Sequence, residues 1–191
     1  GAKKLISIEK DKRCLAALEE LQGFYGDSFQ IINDDALKMS ELDFLSDKKK
    51  FKIIANLPYN IGTVLLIKWL KIAPQISSMT LMLQKEVVQR IVAKPGTKHY
   101  GRLAVMTNFL CDSKMVFTVN KSVFIPPPKV TSAILQVTPY EKPLFDVEFD
   151  KLEKVVAAAF NQRRKMIKSS LKTTFDNSEK TLIDLGINPE L

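Results

Sequence analysis

Two rhythms of hydrophobic and polar positions alternate along most of the chain. Leu5-Ile6-Ser7-Ile8-Glu9 is a short β-branched run ending in an acid, and after Asp11 apolar residues return at Leu15, Leu18 and Leu21, the spacing of one helix face. Phe29-Gln30-Ile31-Ile32 predicts a second strand closing on Asn33-Asp34-Asp35, and Phe51 to Ala55 a third closing on Asn56. A helical pattern over Gly62 to Ala73, a strand over Met79 to Leu83 ending at Gln84, and a helix over Glu86 to Ala93 follow. Strands alternating with helices predict an α/β fold with a parallel, doubly wound sheet, in which ligands sit at the carboxyl ends of the strands. Glu9, Asp35, Asn56 and Gln84 fall at those ends.

After a helix around Leu103 to Leu110 the rhythm changes. Met115 to Val119 and Ala133 to Val137 are strand-like, flank the stiff Pro126-Pro127-Pro128 and suit an antiparallel pair at the sheet edge. From Phe149 the chain reads helical and basic, with Arg163, Arg164, Lys165, Lys168 and Lys172 crowded into ten residues on a predicted helix. A domain boundary is expected near Pro143, with 1–142 as the sheet domain and 143–191 as the start of a small helical one. A chain that opens directly on a strand is also expected to lack the first strand of its own sheet.

Composition narrows the class. With 46% hydrophobic and 26% charged residues the chain can bury a core, and 29 Lys and Arg against 21 Asp and Glu leave a net charge of +8. That excess favours polyanionic partners without requiring one. Cys14 and Cys111 lack metal-ligand spacing and read as reduced core thiols, so no metal is expected. Lys68 and Lys71 interrupt the longest apolar stretch, Val64 to Ala73, and Gly1-Ala2-Lys3-Lys4 is no signal peptide, so a cytoplasmic protein without membrane association is expected.

The chemistry centres on Asn56-Leu57-Pro58-Tyr59. Pro58 fixes a turn where the strand ladder ends, which leaves an amide, a carbonyl and an aromatic ring close together. Such a set suits a planar base with an exocyclic amine: the amine donates to the Asn56 side-chain oxygen and the Leu57 carbonyl while Tyr59 stacks on the ring. An ordinary strand-end turn is the plain alternative. Glu9 suits a ribose diol or is a solvated loop acid; Asp35, before Ala36, can accept from an adenine amine or serve as a turn residue or N-cap. Phe124 stands before a rigid proline run that can hold it against a base, or it packs into the core edge. The basic run from Asn161 to Lys172 is either a solvated helix face or a phosphate contact. His99, in a loop-like context, is not expected to have a chemical role.

Five segments in order, Asn56-Leu57-Pro58-Tyr59-Asn60-Ile61, Leu83-Gln84-Lys85-Glu86-Val87-Val88, Tyr100-Gly101-Arg102-Leu103, Phe124-Ile125-Pro126-Pro127-Pro128-Lys129-Val130 and Phe160-Asn161-Gln162-Arg163-Arg164-Lys165, resemble the bacterial KsgA/RsmA family of rRNA adenine dimethyltransferases. The resemblance implies a Rossmann-like methyltransferase with a helical C-terminal domain. It also implies use of S-adenosyl-L-methionine to dimethylate two adjacent adenines near the 3′ end of small-subunit rRNA, on the immature subunit and as a monomer. Glu9 would then bind the cofactor ribose, Asp35 and Ala36 its adenine, and Asn56 would lie between cofactor and substrate. Leu57 and Pro58 would complete the pocket, with Tyr59 and Phe124 sandwiching the base. Arg102, Lys129, Asn161, Arg163, Arg164, Lys165 and Lys168 would contact RNA.

The family's Gly-rich loop after its first strand is absent from this sequence, so the polypeptide as it stands is expected to bind the cofactor weakly or not at all. Erm-type methylases of large-subunit rRNA are the nearest rival reading. A noncatalytic RNA-binding assembly factor is the rival from another class.

Overall fold

A computed structural model describes residues 2–44, 50–162 and 165–191. The chain divides into two compact units, Gly1–Lys49 and Lys50–Leu191.

In the first unit β1 (Leu5–Ile8) and β2 (Phe29–Ile32) pair in parallel, Leu5 opposite Phe29 and Ile8 opposite Ile32, and α1 (Leu15–Tyr25) connects them. Asp11 caps the short 3-10 turn before α1 by accepting from the Arg13 N–H, as its position ahead of the apolar rhythm predicts. Gly26, at φ 55°, ends the helix in a backbone conformation that a Cβ disfavours.

The second unit is built on a four-stranded sheet in the order β3-β4-β6-β5, from β3 (Phe51–Asn56), β4 (Ile76–Gln84), β5 (Cys111–Val119) and β6 (Ser132–Pro139). β3 and β4 run parallel, and β6 is antiparallel to both β4 and β5. The expected antiparallel pair is therefore present, with β5 as the edge and β6 inside. Alternation along β4 buries Met79, Leu81 and Leu83, whereas Ile76 is also buried although it lies three residues before Met79. The register explains this. Phe51 pairs with Ile76 but Lys52 with Ser78, so Ser77 is an extra residue that shifts the side-chain phase. Its hydroxyl donates to the Phe51 carbonyl at 3.0 Å.

α2 (Gly62–Lys71) turns Leu65, Leu66, Trp69 and Leu70 inward, the helical repeat of its apolar face. A Cβ on Gly62 would collide with a Leu83 methyl, so glycine lets the first turn of α2 lie directly on β4. α3 (Lys85–Ile91) and α4 (Arg102–Leu110) follow, adding buried Val88, Ile91 and Met106 to this core.

Beyond β6 come α5 (Phe149–Asn161), α6 (Ile167–Ser170) and α7 (Ser178–Asp184), with α5 packed on α4. The expectation of one basic helix through Asn161 to Lys172 is corrected here. α5 ends at Asn161, Gln162 is a turn, Lys165 a bend, and α6 begins only at Ile167. Arg163 and Arg164 lie outside the described residues. The apolar spacing of Leu152, Val155 and Val156 stops before the charged run, which leaves no buried face to extend α5. Cys14 is a second correction: it is exposed at the turn before α1, whereas Cys111 is buried as expected.

Candidate active site

The second unit places Asn56 at the last position of β3. One further ladder bond, from the Leu57 N–H to the Met82 carbonyl at 3.2 Å, extends the pairing past the strand. Pro58 has no N–H with which to continue it. The Pro58 carbonyl instead accepts from the N–H groups of Ile61 and Gly62 at 3.2 and 3.1 Å, and the chain turns into α2. The Leu57 side chain is buried, 6% exposed, and anchors the turn from inside. Among the described residues, neither the Asn56 side chain nor the Leu57 carbonyl has a hydrogen-bond partner. Two acceptors thus stand next to one another on a backbone fixed from both sides.

Tyr59 keeps 39% of its surface exposed, and its hydroxyl lies 3.0 Å from Ser132 Oγ. Phe124, half-buried, follows a short 3-10 turn over Lys121–Val123 that Asn120 caps by accepting from the Ser122 N–H at 3.0 Å. Its own N–H donates to the Lys121 carbonyl. The Ile125–Pro126 peptide is cis, and the segment returns to the sheet where the Thr131 carbonyl accepts from Lys85, the first residue of α3, at 2.9 Å.

In the first unit Glu9, Asp35 and Ala36 follow the carboxyl ends of β1 and β2. The Glu9 N–H donates to the Ile32 carbonyl at 3.0 Å, and Asn33 Nδ2 donates to the Glu9 carbonyl at 2.7 Å, which ties the two strand ends together. The Glu9 carboxylate accepts from the Asp11 N–H through Oε1 at 2.7 Å. Asp35 accepts from Lys10 Nζ at 2.8 Å and from the Leu37 N–H at 3.0 Å. Hydrogen bonding from Lys10, and then from Leu37, holds its carboxyl below the usual carboxylate range. Asp35 is therefore an ionised, acceptor-only group at neutral pH. Ala36, half-buried, lies in a turn closed by the Lys38 N–H on the Asp35 carbonyl at 2.8 Å. Carboxylates at two adjoining strand ends fit a ligand that presents hydroxyl and amine donors.

The basic residues separate into two groups. Lys129, Asn161 and Lys165 are exposed. Arg102 instead donates to Glu153 at 2.6 Å, and Lys168 pairs with Glu179 and Glu190 at 3.1 and 3.2 Å with its side chain only 21% exposed. Its hydrogen bonds to both glutamates push the Lys168 pKa up. His99 is exposed in the loop before α4. Sequence reasoning missed Ser132, Lys10 and Glu153. Only Ser132 had a local signal, a small polar residue opening an apolar strand just after the proline run. Among the described residues, no group of three or more His, Cys, Asp or Glu can hold a metal, and no helix is long and apolar enough to cross a membrane.

The chain is similar to known proteins along nearly its whole length. The chain is 49% identical over 172 residues to the ribosomal RNA small subunit methyltransferase A of Zymomonas mobilis, matching 88% of this chain and 61% of that protein. It is 47% identical to the protein of the same name from Rhizobium johnstonii, over 99% of this chain and 68% of the relative. The chain thus spans about three fifths to two thirds of the length of these curated relatives. Among solved structures, a dimethyladenosine transferase from Plasmodium falciparum superposes with a TM-score of 0.78 at 29% identity, covering 96% of this chain and 66% of that one. The 23S rRNA methyltransferase ErmE does so with 0.69 at 26% identity, covering 98% and 75%. The α/β fold expected from the strand and helix pattern, and the Rossmann-like methyltransferase fold implied by the family resemblance, agree with these neighbours. A family model described as ribosomal RNA adenine dimethylase matches residues 1–190, and the chain belongs to that family.

Proposed function

We propose that the whole protein is a small-subunit rRNA adenine dimethyltransferase that uses S-adenosyl-L-methionine to modify two adjacent adenines near the 3′ end of the RNA. The observation that carries this reading is the pair of unpartnered acceptors, the Asn56 amide oxygen and the Leu57 carbonyl, at the fixed end of β3. An adenine amine donating to both would be drawn toward a pyramidal nitrogen, because its N–H bonds are pulled out of the ring plane. Its lone pair, otherwise delocalised into the ring, is then available for in-line attack. Tyr59, and Phe124 from the segment between β5 and β6, supply the aromatic surfaces for the base. No strong base is needed, because the amine proton becomes acidic once the nitrogen has gained the methyl group, and water can take it.

S-adenosyl-L-methionine, when bound, would supply an electrophilic methyl group with a neutral sulfide as the leaving group. Glu9 suits the ribose hydroxyls of that cofactor, through the carboxylate oxygen that the Asp11 N–H does not occupy. Asp35, with Ala36 beside it, suits the adenine amine.

Lys129, Asn161 and Lys165, all exposed, together with Arg163 and Arg164, are the proposed RNA contacts. Residues 143–191 are the proposed start of an RNA-docking domain. Arg102 and Lys168, already ion-paired, serve the packing of the helices. The names of the relatives at 44–49% identity support the small subunit as target over the large-subunit RNA of the Erm-type enzymes. The partner is then the immature small subunit, met by a monomer in the cytoplasm.

The test is Asn56→Ala in the full-length protein. Methyl transfer to small subunits is expected to fall by two orders of magnitude or so, as when one preorganised polar contact to a reacting group is removed, with RNA affinity unchanged. Methylation at the normal rate would refute the role given to Asn56.

A further inference from the structure

Ser132 is buried, 1% exposed, yet carries a hydroxyl whose partner is the partly exposed Tyr59 ring 73 residues earlier in the chain. A buried hydroxyl keeps its stability cost low only by hydrogen bonding, and here Tyr59 provides the bond. What distinguishes Ser132 is how firmly it is held. It pairs with Gln84 on one side and with Val119 on the other, so both ladders of β6 fix its backbone. The preceding Thr131 carbonyl is bonded to the first N–H of α3. Tyr59, by contrast, sits in a turn whose ladder bonds end at Leu57.

The Val119–Ser132 pair also closes the base of the 120–131 segment, which carries Phe124. One residue therefore fixes the orientation of the Tyr59 ring and the root of the segment holding the second aromatic.

We propose that Ser132 is a positioning residue for the target base: its hydroxyl holds the Tyr59 ring in the orientation in which an adenine can stack with its amine on Asn56 and Leu57. The inference rests on the reading of Asn56-Leu57-Pro58-Tyr59 as the adenine pocket. Ser132 itself touches no reacting atom. Its effect passes through Tyr59, whose ring would otherwise turn about two side-chain torsions and sample stacking geometries that present the amine off line.

The experiment uses the full-length protein with immature small subunits as substrate and compares Ser132→Ala, Tyr59→Phe, the double variant and Asn56→Ala. Losing one hydrogen bond that orients the base is expected to lower the single-turnover methylation rate at saturating subunits about tenfold. The KM for subunits is expected to stay within roughly twofold, since the ring still stacks and the phosphate contacts are intact. Ser132→Ala and Tyr59→Phe remove the same bond, so the double variant is expected to match either single one. A merely structural serine would show the shared loss in the urea midpoint, since Tyr59→Phe leaves the buried Ser132 hydroxyl unpaired, and not in the saturated rate of the folded protein.

Full activity in Ser132→Ala, or a double variant that loses the product of the two single effects, would overturn the proposal. If Ser132→Ala does not fold, Tyr59→Phe decides alone: a tenfold lower saturated rate supports the proposal, and an unchanged rate overturns it. Asn56→Ala separates this inference from the reading beneath it. Methylation surviving in Asn56→Ala removes the pocket itself, whereas its loss beside an active Ser132→Ala removes only the role of Ser132.

Discussion

Arg102 Nη2 lies 2.6 Å from Glu153 Oε1, so the first residue of α4 is clamped to the middle of α5. Lys71, at the end of α2, joins the same cluster, 3.0 Å from Asp150 and 3.8 Å from Glu153, with its ammonium 5.6 Å from the Phe149 ring centroid. The hydrogen bond that Lys71 donates to Asp150 pushes the Lys71 pKa up, so this lysine stays charged across the physiological range. Two cations from two different helices thus meet acidic residues on one face of α5.

On the proposed RNA contacts, Arg102 and Lys165 are expected to differ, because Arg102 is held in this cluster while Lys165 is exposed. Lys165→Ala is expected to reduce the slope of log K against log salt by about one unit, the signature of one lost phosphate contact. Arg102→Ala is expected to leave that slope unchanged and to cost about 0.5–1 kcal/mol of stability, the range for a partly exposed ion pair. Filter binding across a salt series, with urea unfolding of the same variants, reads both effects.

Gly62→Ala is expected to destabilise the protein by about 1–3 kcal/mol, because its new Cβ meets a Leu83 methyl inside a packed core. Combining it with Leu83→Ala should cost less than the sum of the two separate losses, since the cavity left by the leucine accepts the methyl. Denaturant midpoints for the four proteins check this.

The two thiols should differ in reactivity. Burial pushes the Cys111 thiol up to about 12, while Cys14 is exposed. At pH 8 a thiol reagent is expected to modify Cys14 rapidly in the native protein and Cys111 only after denaturant is added. The sign for stability follows from the same shift. The folded state favours the protonated thiol, so this contribution is complete below the ordinary value of 9.0 and declines as pH rises toward 12.

Asp35 shifts in the opposite direction. Its folded pKa lies below 3.8, chiefly through Lys10, so its contribution is present above 3.8 and is lost as pH falls through the lower folded value. Lys10→Met is expected to move the Asp35 midpoint upward in a carboxyl-carbon NMR titration, with the Leu37 N–H keeping it short of the ordinary value. A midpoint unmoved by the substitution would count against Lys10 as the main cause.

Much of this organisation is written locally. The alternation in Met79 to Leu83, the helical spacing of Leu65, Leu66, Trp69 and Leu70, and the capping Asp11 depend on neighbours a few residues away, so the strands, most helices and the residues at strand ends were legible in the sequence. Asn56, Leu57, Pro58 and Tyr59 were legible as a unit for the same reason: a proline after a buried strand stops the ladder wherever it occurs. The end of α5 was not, because the charges of Arg163, Arg164 and Lys165 do not reveal where the buried face of the helix runs out.

Tertiary structure alone decided the pairings between distant segments. Ser132 meets Tyr59, Lys10 meets Asp35, and Arg102 and Lys168 are drawn into ion pairs instead of standing free. A side chain's charge or hydroxyl can be read from the sequence, but its partner depends on which segments the sheet and the packed helices bring within about 3 Å, the reach of a hydrogen bond. The chain thus declared by itself that acceptors and an aromatic gather where β3 ends, and folding determined what holds that aromatic in place.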